Sequence, residues 1–141
     1  MTERPSRISK VLSANDVGDT GAHQAGMLVP KESRILAFFP PLNAREKNPR
    51  CSLNFRDDWQ DRWTFAFIYY NNRFFGGTRN EYRLTRMTDF LRTRNAKPGD
   101  SIVLRRGEDD SYTIGIERVA PVRQAHSGPL KLSTAWKVID I

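Results

Sequence analysis

The sequence predicts a mainly β (α+β) fold, a barrel of six to eight short strands with one or two small helices, in one domain spanning residues 1–141. Three observations carry that expectation. Apolar and polar residues alternate in short runs, most clearly CSLNF at 51–55, WTFAFIYY at 63–70 and YTIGI at 112–116. Clusters of Gly, Pro, Asn and Asp separate these runs. A chain of 141 residues is also long enough to bury a core of its own.

Taken in order, Met1–Arg7 is polar and expected to fray, and Ile8–Leu12 is a first strand with Lys10 in its middle. SANDVGDTGAHQ, residues 13–24, is dense in turn formers and longer than a hairpin connection needs, which marks it as a working loop. Ala25–Val29 returns as a strand ended by Pro30. Lys31–Phe39 places Ile35, Leu36, Phe38 and Phe39 on a short amphipathic helix that Pro40 and Pro41 stop. After a polar loop at Asn43–Pro49, Cys51, Leu53 and Phe55 alternate along a strand, Arg56–Arg62 is a charged turn, and Trp63–Tyr70 is the central strand. Thr85–Arg94 suits one or two helical turns with Met87, Phe90 and Leu91 inward. Lys97-Pro98-Gly99-Asp100 is a tight turn into the strand Ser101–Arg106, and Gly107–Ser111 reverses it into Tyr112–Ile116. Pro121–Pro129 reads as loop and Leu132–Ile141 as a last strand around Trp136.

Lys and Arg number 23 against 16 acids, a formal charge of +7 and a pI near 10.0. Such a balance makes a polyanion, most often nucleic acid, the leading partner. The excess is concentrated: from Arg73 to Arg106 nine Arg and Lys face three acids (Glu81, Asp89, Asp100). Cys51 is the only cysteine, so an internal disulfide and a Cys-based zinc site are excluded, in keeping with a reducing cytosol. The opening residues lack an apolar signal core and no 18-residue apolar run occurs, so no membrane association is expected.

One stretch departs from ordinary strand composition. YYNNRFFGGTRNEYRLTR, residues 69–86, holds five aromatics, two glycines, four arginines, three asparagines and a lone carboxylate. If Arg79–Leu84 is extended, Arg79, Glu81 and Arg83 share one face, and Asn80, Tyr82 and Leu84 the other. Residues two apart on a strand stand about 6.6–6.8 Å apart, close to the roughly 6.8 Å of two base-pair steps. Arg is the usual bidentate partner of guanine, and Glu can accept from cytosine N4. A surface built only for phosphate gains nothing from Glu81. The plainer alternative is that Glu81 simply pairs with Arg79 or Arg83 on the surface. Tyr69, Tyr70, Phe74 and Phe75 read as core and arm-root packing.

A second set is Lys10 with Asn15, Asp16, Thr20, His23 and Gln24. Asn and Gln suit adenine, Asp cytosine, and His guanine or phosphate; equally, Asn15 and Asp16 can do no more than shape a turn. Lys31, Arg34, Arg45, Lys47 and Arg50 read as solvated or phosphate-facing charges. Catalytic signatures are missing: there is no Gly-x-Ser-x-Gly, Walker loop or His-Glu-x-x-His, and Glu117 is followed by Arg118 and Val119 rather than by the spaced Lys of a metal-dependent nuclease. An RNA- or single-strand-binding β-barrel with the four aromatics as a stacking platform is the alternative reading.

Two segments, KVLSANDVGDTGAHQAGMLVPK (10–31) and IYYNNRFFGGTRNEYRLTR (68–86), closely resemble the effector-binding N-terminal domain of EcoRII-type restriction endonucleases. The matching blocks cover about forty residues, and the runs SAND-x-G-x-TG-x-HQ and YYN-x-RFFG-x-TRNE are compositionally unusual. The resemblance implies an open DNA-binding pseudobarrel of about seven strands with one or two short helices. Two arms would grip the major groove of double-stranded DNA, one from Lys10 and the 13–24 loop, the other from Arg73 and residues 77–83. It further implies that Lys10, Asn15, Asp16, His23, Arg73, Arg79, Glu81 and Arg83 touch DNA; Gln24, Asn80 and Tyr82 join them from their place in the arms. The family pattern has Lys where this chain has Gly77 and again at Tyr82, which removes two cations. A nuclease domain of the same polypeptide would carry catalysis and its Mg2+, with no cofactor expected for this domain.

Overall fold

The computed structural model describes residues 5–18, 26–119 and 136–139. Eight strands form one sheet: β1 (Arg7–Val11), β2 (Met27–Val29), β3 (Arg50–Asp57), β4 (Arg62–Tyr70), β5 (Glu81–Thr85), β6 (Ser101–Arg106), β7 (Tyr112–Glu117) and β8 (Trp136–Val138). Their order is β2-β5-β4-β3-β7-β6-β1-β8, antiparallel except for the parallel pairing of β3 with β7. The edge strands approach each other, for the Trp136 indole N–H donates to the Leu28 carbonyl at 2.9 Å. The sheet is therefore nearly closed, as the expected pseudobarrel requires.

The period-two patterns set which side faces in. Leu53, Phe55 and Asp57 of β3 are buried while Ser52, Asn54 and Arg56 are exposed. Phe65 and Phe67 of β4, Leu84 of β5, Ile102 and Leu104 of β6, and Ile114 of β7 meet Ile8 inside the barrel. Helix α1 (Ser33–Leu36) adds Ile35, the turn after it Phe38 and Phe39, and helix α2 (Thr88–Thr93) Phe90 and Leu91. Phe39 stacks on Phe67 with centroids 4.2 Å apart. Burying one such ring stabilises the fold by about 1.5–3 kcal/mol.

Several expectations are corrected. Helix α1 is a single turn, not Lys31–Phe39; the Phe38 and Phe39 amides reach only three residues back, to Ile35 and Leu36, before Pro40 and Pro41 end the run. Thr85 belongs to β5, and α2 begins at Thr88. Residues 5–7 are fixed, since Arg7 pairs with Arg105 and the Ser6 and Pro5 carbonyls accept from Arg106. Asp57 is not part of a solvated turn but buried. Of the last strand, Trp136–Val138 is observed; 132–135 and the 121–129 loop lie outside the described residues.

Candidate nucleic-acid interface

The mid-chain arm leaves β4 at Tyr70 and returns as β5. Asn71, fully buried, fixes its root: its side-chain oxygen accepts from the Asn48 amide at 2.7 Å, and its Nδ2 donates to the Ala44 and Glu46 carbonyls. A 3-10 turn follows at Asn72–Phe75, ended by Gly76 at φ 94°. Asn72 then closes the loop. Its carbonyl accepts from Gly77 N–H at 2.7 Å, and its side-chain oxygen accepts from Arg79 N–H at 2.7 Å. Arg73 N–H reaches the Arg79 carbonyl at 2.9 Å. A Cβ at Gly77 would lie 2.7 Å from the Asn72 side chain, so any larger residue there requires that side chain, which holds Arg79 N–H, to shift.

Beyond that turn the alternation expected from the sequence is present. Arg79, Glu81 and Arg83 lie on one face. Arg79 Nη2 donates to Glu81 Oε2 at 2.7 Å and Arg83 Nε to the same oxygen at 2.6 Å. The three side chains are 38%, 29% and 23% exposed, and the Arg79 guanidinium lies 3.9 Å over the Tyr70 ring. Hydrogen bonds from Arg79 and then Arg83 hold the Glu81 carboxyl below the usual range despite some burial. A guanidinium has five N–H donors, so neither arginine spends its capacity on this bond. Glu81 thus pairs with both arginines, while the group stays at the surface and keeps a net positive charge.

Asn80 and Tyr82 point the other way, into internal contacts. Asn80 Oδ1 accepts from the Tyr69 hydroxyl at 2.7 Å, and Tyr82 stacks on Tyr69 at 4.2 Å and on Phe67 at 5.7 Å. Both hold β5 against β4. Tyr69 and Tyr70 serve as arm-root packing, as expected. Phe74 and Phe75 do not: they are 64% and 44% exposed.

The first arm leaves β1 at Leu12, which the 97–100 turn pins from both sides: Leu12 N–H donates to the Asp100 carbonyl, and Gly99 N–H to that of Leu12. Asp16 then folds back. Its Oδ2 accepts from Ser13 N–H at 2.9 Å and from the Lys10 ammonium at 2.5 Å, and Ser13 Oγ accepts from Asp16 N–H. Lys10 and Asp16 are 10% and 9% exposed, so their charges are committed to shaping this loop. Asn15 is exposed beside them. Thr20, His23 and Gln24 lie outside the described residues. The chain re-enters at Gly26, whose φ of 93° and contact with β5 (a Cβ would lie 2.7 Å from the Leu84 carbonyl) admit only glycine without strain.

The two arms meet at Arg83. Its Nη1 donates to the Gly26 carbonyl at 2.9 Å, and Lys10, Asn15, Asp16, Gly26, Leu28, Pro30 and Arg83 line one cleft of about 320 Å³. The register across the sheet, Leu28 opposite Arg83, Arg83 opposite Ile68, Ile68 opposite Arg50, extends this surface over the outer face. A second depression there is lined by Arg50, Ser52, Tyr70, Thr85, Arg86 and Thr88. Arg86, Ser52 and Thr88 escape a reading by local pattern because only cross-strand register brings them beside the arm. Among the described residues no three His, Cys, Asp or Glu side chains gather as a metal site, and no helix is long and apolar enough to cross a membrane.

The family of the N-terminal domain of restriction endonuclease EcoRII matches residues 5–104. The type II restriction enzyme EcoRII of Escherichia coli is 41% identical over 99 residues, 67% of this chain and 24% of the enzyme. Auxin response factor 2 of Oryza sativa subsp. japonica is 29% identical over 131 residues, 90% of this chain and 17% of the factor. Among solved structures, the Arabidopsis FUS3–DNA complex has a TM-score of 0.60 at 24% identity, covering 79% of this chain and 96% of that one. The B3 domain of the UbaLAI restriction endonuclease with cognate DNA has a TM-score of 0.52 at 27% identity, covering 81% of this chain and 68% of that one. The match spans about a quarter of the EcoRII enzyme's length. With the family matched over most of its length and its fold shared with B3 domains, this chain belongs to the EcoRII N-terminal domain family.

Proposed function

We propose that this chain binds double-stranded DNA in a sequence-specific manner, as the effector or target-recognition domain of a type II restriction endonuclease in a bacterial cytoplasm. Its nuclease domain would be another part of the same polypeptide, and Mg2+ would serve that domain alone. The observation that carries the reading is the outward row Arg79-Glu81-Arg83, alternating in charge at strand spacing, with Arg83 bonded to the root of the other arm. The UbaLAI domain with its cognate DNA supports duplex DNA as the partner.

Arg79 and Arg83 offer donors to guanine edges, and Glu81 accepts from cytosine while bridging and orienting the two guanidiniums. Arg73, exposed at the tip, with Arg50 and Arg86 faces phosphates. Asn15, His23 and Gln24 read from the other arm. Lys10 and Asp16 act by holding that loop in shape, and Asn80 and Tyr82 by holding β5. A single-strand stacking platform of four aromatics is disfavoured because Tyr69 is stacked on Tyr82 and Tyr70 is covered by Arg79, which leaves only Phe74 and Phe75 exposed. Selection of bound duplexes from a random pool, then competition between the selected duplex and its separate strands, tests the reading. A single consensus bound in preference to either strand is expected; equal binding of any strand would sink it.

A further inference from the structure

Six of the eight phenylalanines, Phe38, Phe39, Phe55, Phe65, Phe67 and Phe90, are buried. The other two, Phe74 and Phe75, stand side by side at the tip of the mid-chain arm, 64% and 44% exposed. They are not on a loose loop. The 3-10 turn that bears them is closed by the Asn72–Gly77, Asn72–Arg79 and Arg73–Arg79 hydrogen bonds, and so is anchored directly to the first residue of the charged row. Arg73, exposed, precedes the two rings in the chain, and its amide bonds the backbone of Arg79, so the tip belongs to a cationic arm, which favours a polyanion over an apolar protein face as the occupant.

From this geometry we infer that the Phe74–Phe75 tip is an apolar probe for the C5-methyl group of a pyrimidine in the major groove. The inference rests on the duplex-DNA reading above and adds a ligand to it. The floor of the major groove offers hydrogen-bonding groups on every base pair but only one apolar group, the methyl of thymine or of 5-methylcytosine. The charged heads of arginine and glutamate gain little from that methyl; an exposed phenyl ring gains more. The tip would thus sense a feature that the Arg79-Glu81-Arg83 row leaves unread, at a position next to the bases the row contacts.

The test changes the C5-methyl and nothing else. In the duplex selected for wild-type protein, each thymine is replaced in turn by uracil, and each cytosine by 5-methylcytosine, and Kd is measured for wild type, Phe74→Ala, Phe75→Ala and Phe74→Leu. Burying one methyl is worth about a fourfold change in Kd. Expected is a loss near that size for wild type at one or two thymines, or an equal gain at one methylated cytosine, absent in an alanine variant and partly kept in Phe74→Leu. Loss at thymine assigns the probe to thymine and gain at cytosine to 5-methylcytosine. Methyl effects of the same size in wild type and both alanine variants, or no methyl effect at any position, overturn the inference while leaving duplex binding intact. Because both rings are exposed, the alanine variants should unfold at the wild-type temperature. Failure of wild type to select any duplex would instead refute the DNA-binding reading beneath it.

Discussion

Two carboxylate–arginine clusters in this protein use the same chemistry to opposite ends. In the first, Asp57 is 2% exposed and accepts four hydrogen bonds, from the Trp59 and Asp61 amides, the Trp63 indole and Arg94 Nε. Arg94 also pairs with Asp61 and lies over the rings of Trp59 and Trp63. Two acids surround one guanidinium, and the buried acid has every lone-pair direction occupied. In the second, two guanidiniums share one oxygen of Glu81 at the surface, so the group keeps positive charge and unspent donors. The ratio of arginine to acid and the depth of the acid, not the presence of an ion pair, separate a strut from the proposed reading surface.

The comparison breaks most readily at Asp57. Replacing it with alanine leaves the Trp63 indole, the Trp59 and Asp61 amides and Arg94 Nε without their acceptor and leaves Arg94 with Asp61 alone, a loss of about 3 kcal/mol, the lower end of the cost of breaking a buried pair from one side. Denaturant unfolding should show it, and the fraction that remains folded should discriminate between DNA sequences as wild type does. If Asp57→Ala left stability unchanged, the claim that this cluster is a strut would fail.

Legibility in the sequence follows the same division. The strands could be read because alternation survives wherever one face is buried, and the arm's two faces followed from the same period. Asp57 was readable too, since Leu53, Phe55 and Asp57 continue one inward series; charge composition pulled it into a turn instead. Lys10 repeats the lesson, standing between Ile8 and Leu12 on an inward series and finding Asp16 as its partner. What no local pattern carries is long-range pairing: β2 against β5, the parallel β3 and β7, and hence the placing of Arg50 and Arg86 beside the arm. Phe74 and Phe75 misled for the opposite reason, because apolar composition signals burial and holds no sign of a turn that lifts rings away from the core.

Next in size is Arg83, the residue common to the row and the other arm. Arg83→Ala should weaken binding to the selected duplex by about 1–3 kcal/mol and to random duplex much less. Equal losses on both would reduce it to a phosphate contact. Because Arg83 also holds the Gly26 carbonyl, its loss should relax discrimination by the 13–24 loop as well. Combined with Asn15→Ala, it should give less than the sum of the single losses.

Glu81 sharpens the contrast with a smaller effect. Glu81→Gln keeps the shape and removes the charge, so binding to random duplex should strengthen while discrimination at one base pair falls by about 1 kcal/mol. The pH dependence has a definite sign. The folded carboxyl titrates below its ordinary value, so its stabilisation of the arm is complete above the unfolded pKa and is lost only as pH falls through the depressed one. Wild type should therefore keep its discrimination from pH 8 to the ordinary carboxylate range near about 4.3, and its stability should converge on that of Glu81→Gln only in more acidic solution. Convergence near neutral pH would mean the shared-oxygen geometry does not hold in solution.

The smallest effect separates phosphate contacts from base contacts on the same face. Arg50 and Arg86 are exposed on the outer surface that carries Arg83, yet neither has a carboxylate partner in the row. A cation facing phosphate releases counterions on binding whatever the sequence. Arg50→Ala and Arg86→Ala should each weaken selected and random duplexes alike and lower the slope of log K against log salt by about 0.9. Arg83→Ala should leave that slope less changed while altering the ratio of the two affinities. If Arg50→Ala changed the ratio instead of the slope, the boundary between reading and anchoring would have to move from the row on β5 to the outer face of β3.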